Sequence, residues 1–283
     1  MSRARLTLAS GLRDHARRLC QTPGFVCGGL ILLFWLVCAV SATHLTPLDP
    51  YAVAPRDALL APSSTHWFGT DRLGRDVFAR VLAGARDILS VAPLATLLGT
   101  ALGTVMGLCA AYFRGVVDAV LGRLIDAVLA LPLVIVALFA LSALGTSRWS
   151  AVAVIALVFA PITARTVRAA AAPERRLDYV AAAQLRGERA GYIMFREILP
   201  NVAKPIAVEA AVRLGYAVFT VATLSFLGFG TQAPSPDWGL AIAENYTSLA
   251  GGAWWTVVFD ALATASLVIA VNLIADAFET ALP

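Results

Sequence analysis

Apolar residues fall in long unbroken tracts, and the short stretches between them hold nearly every charge. None of the tracts alternates with a two-residue period, and each is longer than the roughly ten residues of a barrel strand. A helix crosses the hydrocarbon core with about 20 apolar residues. Six tracts approach or exceed that length: Gly24–Ala42, Ile88–Phe113, Ala127–Thr146, Trp149–Ala164, Leu214–Phe229 with some N-terminal extension, and Trp254–Ala275. In lipid each backbone N–H and C=O must be paired within its own segment, so the pattern predicts helices. The expected fold class is all-α, a polytopic membrane bundle of six transmembrane helices. Gly24–Val40 follows arginines, as the core of a signal peptide would, but no convincing small-x-small cleavage site precedes Pro47. It is expected to stay as the first span.

The polar stretches orient the bundle. The N-terminal tail holds Arg3, Arg5, Arg13, Arg17 and Arg18 against a lone Asp14. The segment between the fourth and fifth spans holds Arg165, Arg168, Arg175, Arg176, Arg186, Arg189, Arg196 and Lys204, and Arg114 follows the second span. Six spans place all of these on one side, which the positive-inside rule makes cytoplasmic, together with both termini. The stretch from Thr43 to Asp87 is then external. Pro47, Pro50, Pro55 and Pro62 predict an extended, structureless first half for it.

Composition agrees with lipid as the solvent. Charged residues make up 14% of the 283 residues, against about a quarter in soluble domains, so two soluble domains, which the length would allow, are excluded. The net charge of +4 comes from scattered arginines, with Lys204 the lone lysine. They form no stripe with interleaved aromatics, which argues against nucleic-acid binding. Cys20, Cys27, Cys38 and Cys109 form no C-x-x-C pair and read as packing residues. No P-loop, H-E-x-x-H or G-x-S-x-G occurs, and His15, His44 and His66 are scattered outside the spans. The chain has no catalytic constellation and no expected metal site.

Inside the spans a few residues stand out. Gly99, Gly103 and Gly107 recur at i, i+4 and i+8 and make one helix face that another backbone can approach. The partner in that packing is either a helix of the same chain or a second subunit. Glu209 and Arg213, and likewise Arg123 and Asp126, are spaced for helical ion pairs. Asp260 lies about one and a half turns inside the last span. It either lines a conduit or snorkels to the external interface. Asn272 is expected to bond between helices.

The strongest signal is the loop LDYVAAAQLRGERAGYIMFREILPN, Leu177–Asn201. Asp178 is a good N-cap for a short alanine-rich helix through Arg186. Gly187 suits a turn with positive φ. A second helix then runs to about Leu199, Pro200 marks its boundary, and Pro205 fits early in the fifth span. This loop resembles that of permease subunits of binding-protein-dependent ATP-binding-cassette importers, in the dipeptide/oligopeptide branch. Their signature is Glu-Ala-Ala, three residues, Gly, and later Leu-Pro. The matching positions are Ala181, Ala182, Ala183, Gly187, Leu199, Pro200 and Asn201. HWFGTDRLGRDVFARVLAGAR at His66–Arg86, AYFRGVVDAVLGRLIDAVLALP at Ala111–Pro132 and LSFLGFGTQAPSPDWG at Leu224–Gly239 extend the likeness along nearly the whole chain.

The resemblance implies a type I importer transmembrane domain in the bacterial plasma membrane. Residues 1–87 would hold the tail, first span and external loop. Residues 88–283 would form the permease core, with a cytoplasmic coupling loop over 165–205. It implies a homologous second permease, two ATP-binding subunits that carry the ATP and Mg, an extracytoplasmic substrate-binding protein and a peptide cargo. The chain itself would hold no cofactor. The bend would be the coupling helix, using Asp178, Tyr179, Ala182, Ala183, Arg186, Gly187, Glu188, Arg189, Gly191, Leu199 and Pro200. His66, Trp67, Asp71, Arg72, Arg75 and Asp76 are the candidate docking residues for the binding protein. Ala181 departs from the family's Glu. That Glu would close a capping box with Asp178, so its loss is expected to cost ~0.5–1 kcal/mol and to leave polar contacts to Arg186, Glu188 and Arg189. The alternatives are the same architecture importing nickel or another small solute, an ion-coupled secondary transporter, which would need inverted repeats and midplane ion sites, a passive channel, and an intramembrane enzyme.

Overall fold

The computed structural model describes residues 22–281. The arginine-rich tail from Arg3 to Arg18 and Cys20 lie outside the described residues. Helices α1 (Pro23–Leu45), α2 (Val77–Phe113), α5 (Arg148–Glu174), α8 (Ala203–Phe226) and α10 (Trp255–Ala281) are each long and apolar enough to cross a membrane. Where the remaining span was expected there is a bent pair, α3 (Gly115–Leu129) and α4 (Leu133–Leu144), whose axes meet at 93°. This corrects the single straight span expected over Ala127–Thr146. Pro132 lacks a donor and biases Leu131 away from helical backbone, so the helix stops and restarts across Ala130–Pro132.

α2 starts well before the expected span because Asp76 caps it, accepting the Ala79 amide at 2.7 Å. The boundary drawn between residues 87 and 88 therefore falls inside a helix and does not separate two units. The chain before α2 is not structureless either. Residues 46–76 carry a 3₁₀ turn at Pro55–Asp57, a bridge between Thr70 and Asp76, and backbone bonds from Ala54 to Leu73 and from Leu59 to Asp71.

α2 and α5 form the spine. A Cβ on Gly99 would meet Ala156, one on Gly103 would meet Ala160 and Thr163, and one on Gly107 would meet Ala164 and Val167. Each step of four residues on one helix matches four on the other, so the two run parallel. The glycine face seats a helix of its own chain. Since α2 and α5 both run the same way, the chain must return between them, within the stretch from Gly115 to Ser147. α1 packs on α10 through Gly28 against Ala270 and through a 2.9 Å bond from Trp35 Nε1 to Ser266.

Two apolar cores sit at opposite ends of the spine. The larger gathers Ile88, Val91, Ile155, Phe159, Leu224, Trp238 and Leu267. The smaller joins Leu108, Ala111, Val167 and Ala171 to Val180, Ala183, Ile193 and Ile198. Glu209 and Arg213 pair at 2.6 Å. Asp126 pairs with Arg165 of α5 at 3.3 Å, not with Arg123 on its own helix. Asn272 lies over Gly215 of α8.

Candidate functional site

The loop after α5 folds as two short helices. α6 spans Asp178–Leu185, and α7 covers 190–201, with a π-helical turn at Ile193–Ile198 in its middle. Between them Gly187 takes φ +74°, its amide bonds the Gln184 carbonyl at 3.0 Å, and Glu188 N bonds Ala183 O at 3.2 Å. That is a helix-ending turn, and glycine accepts the positive φ without steric cost. The roots of both helices are held in the smaller core by Val180, Ala183, Ile193 and Ile198. Tyr179 donates to Glu174 at 2.7 Å and accepts from Asn201 at 3.0 Å, which ties the start of α6 to the ends of α5 and α7. Burial, with donation to Glu174, holds its phenol above the ordinary range.

The far end of the loop is bare. A Cβ built on Gly187 or Gly191 would meet no atom within 4 Å. Leu185 is 90% exposed, and Ala182 and Arg189 are exposed near it; at the root end Pro200 is exposed and Leu199 half-buried. Tyr192 and Phe195 add exposed apolar surface that the sequence reading passed over. Their signal was available in their spacing on the second helix. Arg186 reaches Glu197 at 3.3 Å and Glu188 at 3.8 Å.

Three local expectations change. Asp178 is not the N-cap. Leu177 holds that position without a side-chain bond, and Asp178 is the first helical residue, where its charge still favours the helix N-terminus. Ala181 is then the fourth helical residue, one position too far for a capping box, so the missing Glu costs no cap. Pro200 does not end the second helix. The wide π turn before it leaves room for a ring with no N–H to offer, and the chain breaks at Val202 instead.

The opposite end holds the six predicted docking residues, three of them inside. Asp71 is 2% exposed and pairs with Arg75 at 2.5 Å, and Arg75 also reaches Glu244 at 2.5 Å. Asp76 caps α2 and bonds His66 Nδ1 at 2.8 Å. Asp71, Arg75 and Asp76 are therefore internal braces with no surface to present, while Trp67, 64% exposed, and Arg72 remain outside. Arg72 donates to Thr247 at 3.1 Å. Beneath them Arg80, which the sequence reading missed, is buried and donates to the carbonyls of Pro50 at 3.2 Å and Ser235 at 2.9 Å. An arginine one turn inside an apolar helix was its signal. Asp260 is 2% exposed, and its Oδ1 has no hydrogen-bond partner in the protein. It does not snorkel, since its side chain is enclosed within the protein. Among the described residues no three His, Cys, Asp or Glu side chains converge as metal ligands would.

The chain is similar to known proteins over most of its length. Residues 99–282 match the family model described as binding-protein-dependent transport system inner membrane component. A dipeptide transport system permease protein of Alkalihalophilus pseudofirmus is 35% identical, covering 98% of this chain and 90% of the relative. A glutathione transport system permease protein of Pectobacterium atrosepticum is 34% identical over 95% and 90%. A probable D,D-dipeptide transport system permease protein of Escherichia coli is 32% identical over 90% and 85%.

Proposed function

The chain belongs to the family of inner membrane components of binding-protein-dependent transport systems, the permease subunits of ATP-binding-cassette importers, and we propose that it forms half of a translocation pathway for di- and oligopeptides, driven by ATPase subunits outside this chain. A homologous permease supplies the other half. Peptide is the cargo class because two of the relatives above are named for dipeptides.

Force enters at the bend near Gly187. The carrying observation is the contrast within one loop: roots buried in the spine's core, tip bare and apolar at Leu185. A groove on an ATP-binding subunit covers that tip, and ATP and Mg sit on that subunit. The tip then faces the cytoplasm, as do both termini, in keeping with the arginines at this end. Movement of the bend tilts the spans between outward- and inward-open states. The motor shifts that equilibrium only through contacts that differ between the states. At the external end an extracytoplasmic binding protein meets the exposed Trp67 and Arg72.

Reversing Arg186 and Arg189 to Glu together tests the coupling. In the complex reconstituted in vesicles, ATP-dependent peptide uptake falls at least ~10-fold while the variant inserts and melts as wild type does. Unchanged uptake per ATP hydrolysed removes the bend from the mechanism.

A further inference from the structure

α3 is tied to α5 at two points. Asp118 pairs with Arg168 at 2.7 Å and Asp126 with Arg165 at 3.3 Å. Between these points α3 advances eight residues, about 12 Å, while the partners on α5 shift three residues, about 4.5 Å. α3 thus crosses the spine at a steep angle and lies closer to the membrane plane than to its normal. The 93° bend into α4 agrees. Ile125 is buried on its packed face, and a second face, formed by Val116, Val117, Val120, Leu124 and Ala127, is exposed, with Val116 at 79%. That face carries no charge. Arg114 and Arg123 flank it, are exposed, and make no ion pair among the described residues.

A helix lying in the plane, with one bare apolar face and arginines at its rim, has the make-up of an interfacial membrane helix. We propose that α3 is seated in the cytoplasmic leaflet, its apolar face among the acyl chains and Arg114 and Arg123 on anionic headgroup phosphates. Charge complementarity selects this occupant: that leaflet carries anionic lipid and attracts basic groups near its surface, and the unpaired Arg114 and Arg123 stand where headgroup phosphates would lie. The leaflet assignment rests on the orientation proposed above. The lipid contact does not.

Spin labels placed singly at residues 116–127, in the assembled complex with the native cysteines replaced, test this in nanodiscs. The result expected is high oxygen and low aqueous-quencher accessibility at Val116, Val120 and Leu124, with a helical period. Low accessibility to both quenchers means a protein covers the face, and high aqueous accessibility means water does. Either overturns the proposal. Native mass spectrometry of bound lipid supplies the charge arm. Arg114→Gln with Arg123→Gln is expected to lower retained anionic lipid severalfold relative to zwitterionic lipid, and an unchanged ratio overturns the headgroup contact. In the Val120→Cys variant, thiol labelling by an impermeant reagent added from the outside would overturn the leaflet assignment while leaving the lipid contact standing.

Discussion

Asp237 accepts the Leu240 amide at 3.0 Å and is 1% exposed, so the cap that starts the short helix α9, Trp238–Asn245, is also a carboxylate taken out of water. Burial pushes its pKa above the ordinary 3.8, and the bond from Leu240 pulls the other way. The sign follows from proton linkage. The folded state keeps this proton to higher pH than the unfolded state does. Stability from this group is therefore lost as pH climbs from about 3.8 through the raised folded value, and the full penalty stands above it. Asparagine keeps an oxygen to cap the helix and removes the charge. Asp237→Asn is expected to melt at or above the wild-type temperature once the pH exceeds the raised folded value, with a flatter profile from about pH 4 upward. Asp237→Ala should lose about 1 kcal/mol with the cap. Thermal unfolding of the detergent-solubilised complex across pH is the measurement, and an Asn variant with the wild-type slope would acquit Asp237.

The α2–α5 seam is an element-scale feature, because it depends on a row of glycines. A Cβ on Gly103 would lie 2.5 Å from Ala160 O and 2.6 Å from Thr163 Cβ. Backbone cannot yield as a side-chain tip does, so Gly103→Ala forces α5 away and is expected to cost about 1–3 kcal/mol. Gly29 in α1 has nothing within 4 Å of its built Cβ, and Gly29→Ala is the matched control, expected to be neutral or slightly stabilising. Melting temperatures of the two variants compare directly. This seam was legible in the sequence because glycine at helical spacing itself encodes a close approach. The early start of α2 was not. Arg80, Arg86 and Asp87 lower the apolar content of its first turns below that of a span, and the groups that satisfy Arg80, two backbone carbonyls at 50 and 235 and the Asp71 carboxylate, lie outside its own helix. The bend at Pro132 was hidden for the opposite reason, since apolar residues continue on both sides of it. In the loop, Gly187 announced its turn by residue type. The placement of Asp178 and Pro200 depended on tertiary packing and a π turn that no local spacing encodes.

Across the whole molecule, two cores are joined by two parallel rods. At the tip end, Ile193 and Val180 are fully buried against Leu108 and Val167 on α2 and α5. At the far end, α2 reaches the loop between α8 and α10 through Trp238 Nε1 to the Val81 carbonyl at 2.8 Å and through Arg80 to Ser235. Packed interiors resist compression and transmit strain, so the proposed pull on the loop is expected to reach the far core along the rods. The smaller core is the joint at the loop end, and it has fewer buried residues than the larger one. Ile193→Ala removes a buried side chain there and is expected to cost about 2–5 kcal/mol of local packing. The larger core shares none of its buried residues with the smaller one. The expected outcome is a chain that still inserts and keeps slow hydrogen exchange over 99–107, exchanges faster over 178–201, and loses peptide uptake while the assembled ATPase still hydrolyses ATP. Hydrogen exchange by mass spectrometry reads the first two and vesicle uptake the third. If exchange rose equally in both regions, the two cores would be one cooperative unit, and force from the loop would have no separate rod to travel along.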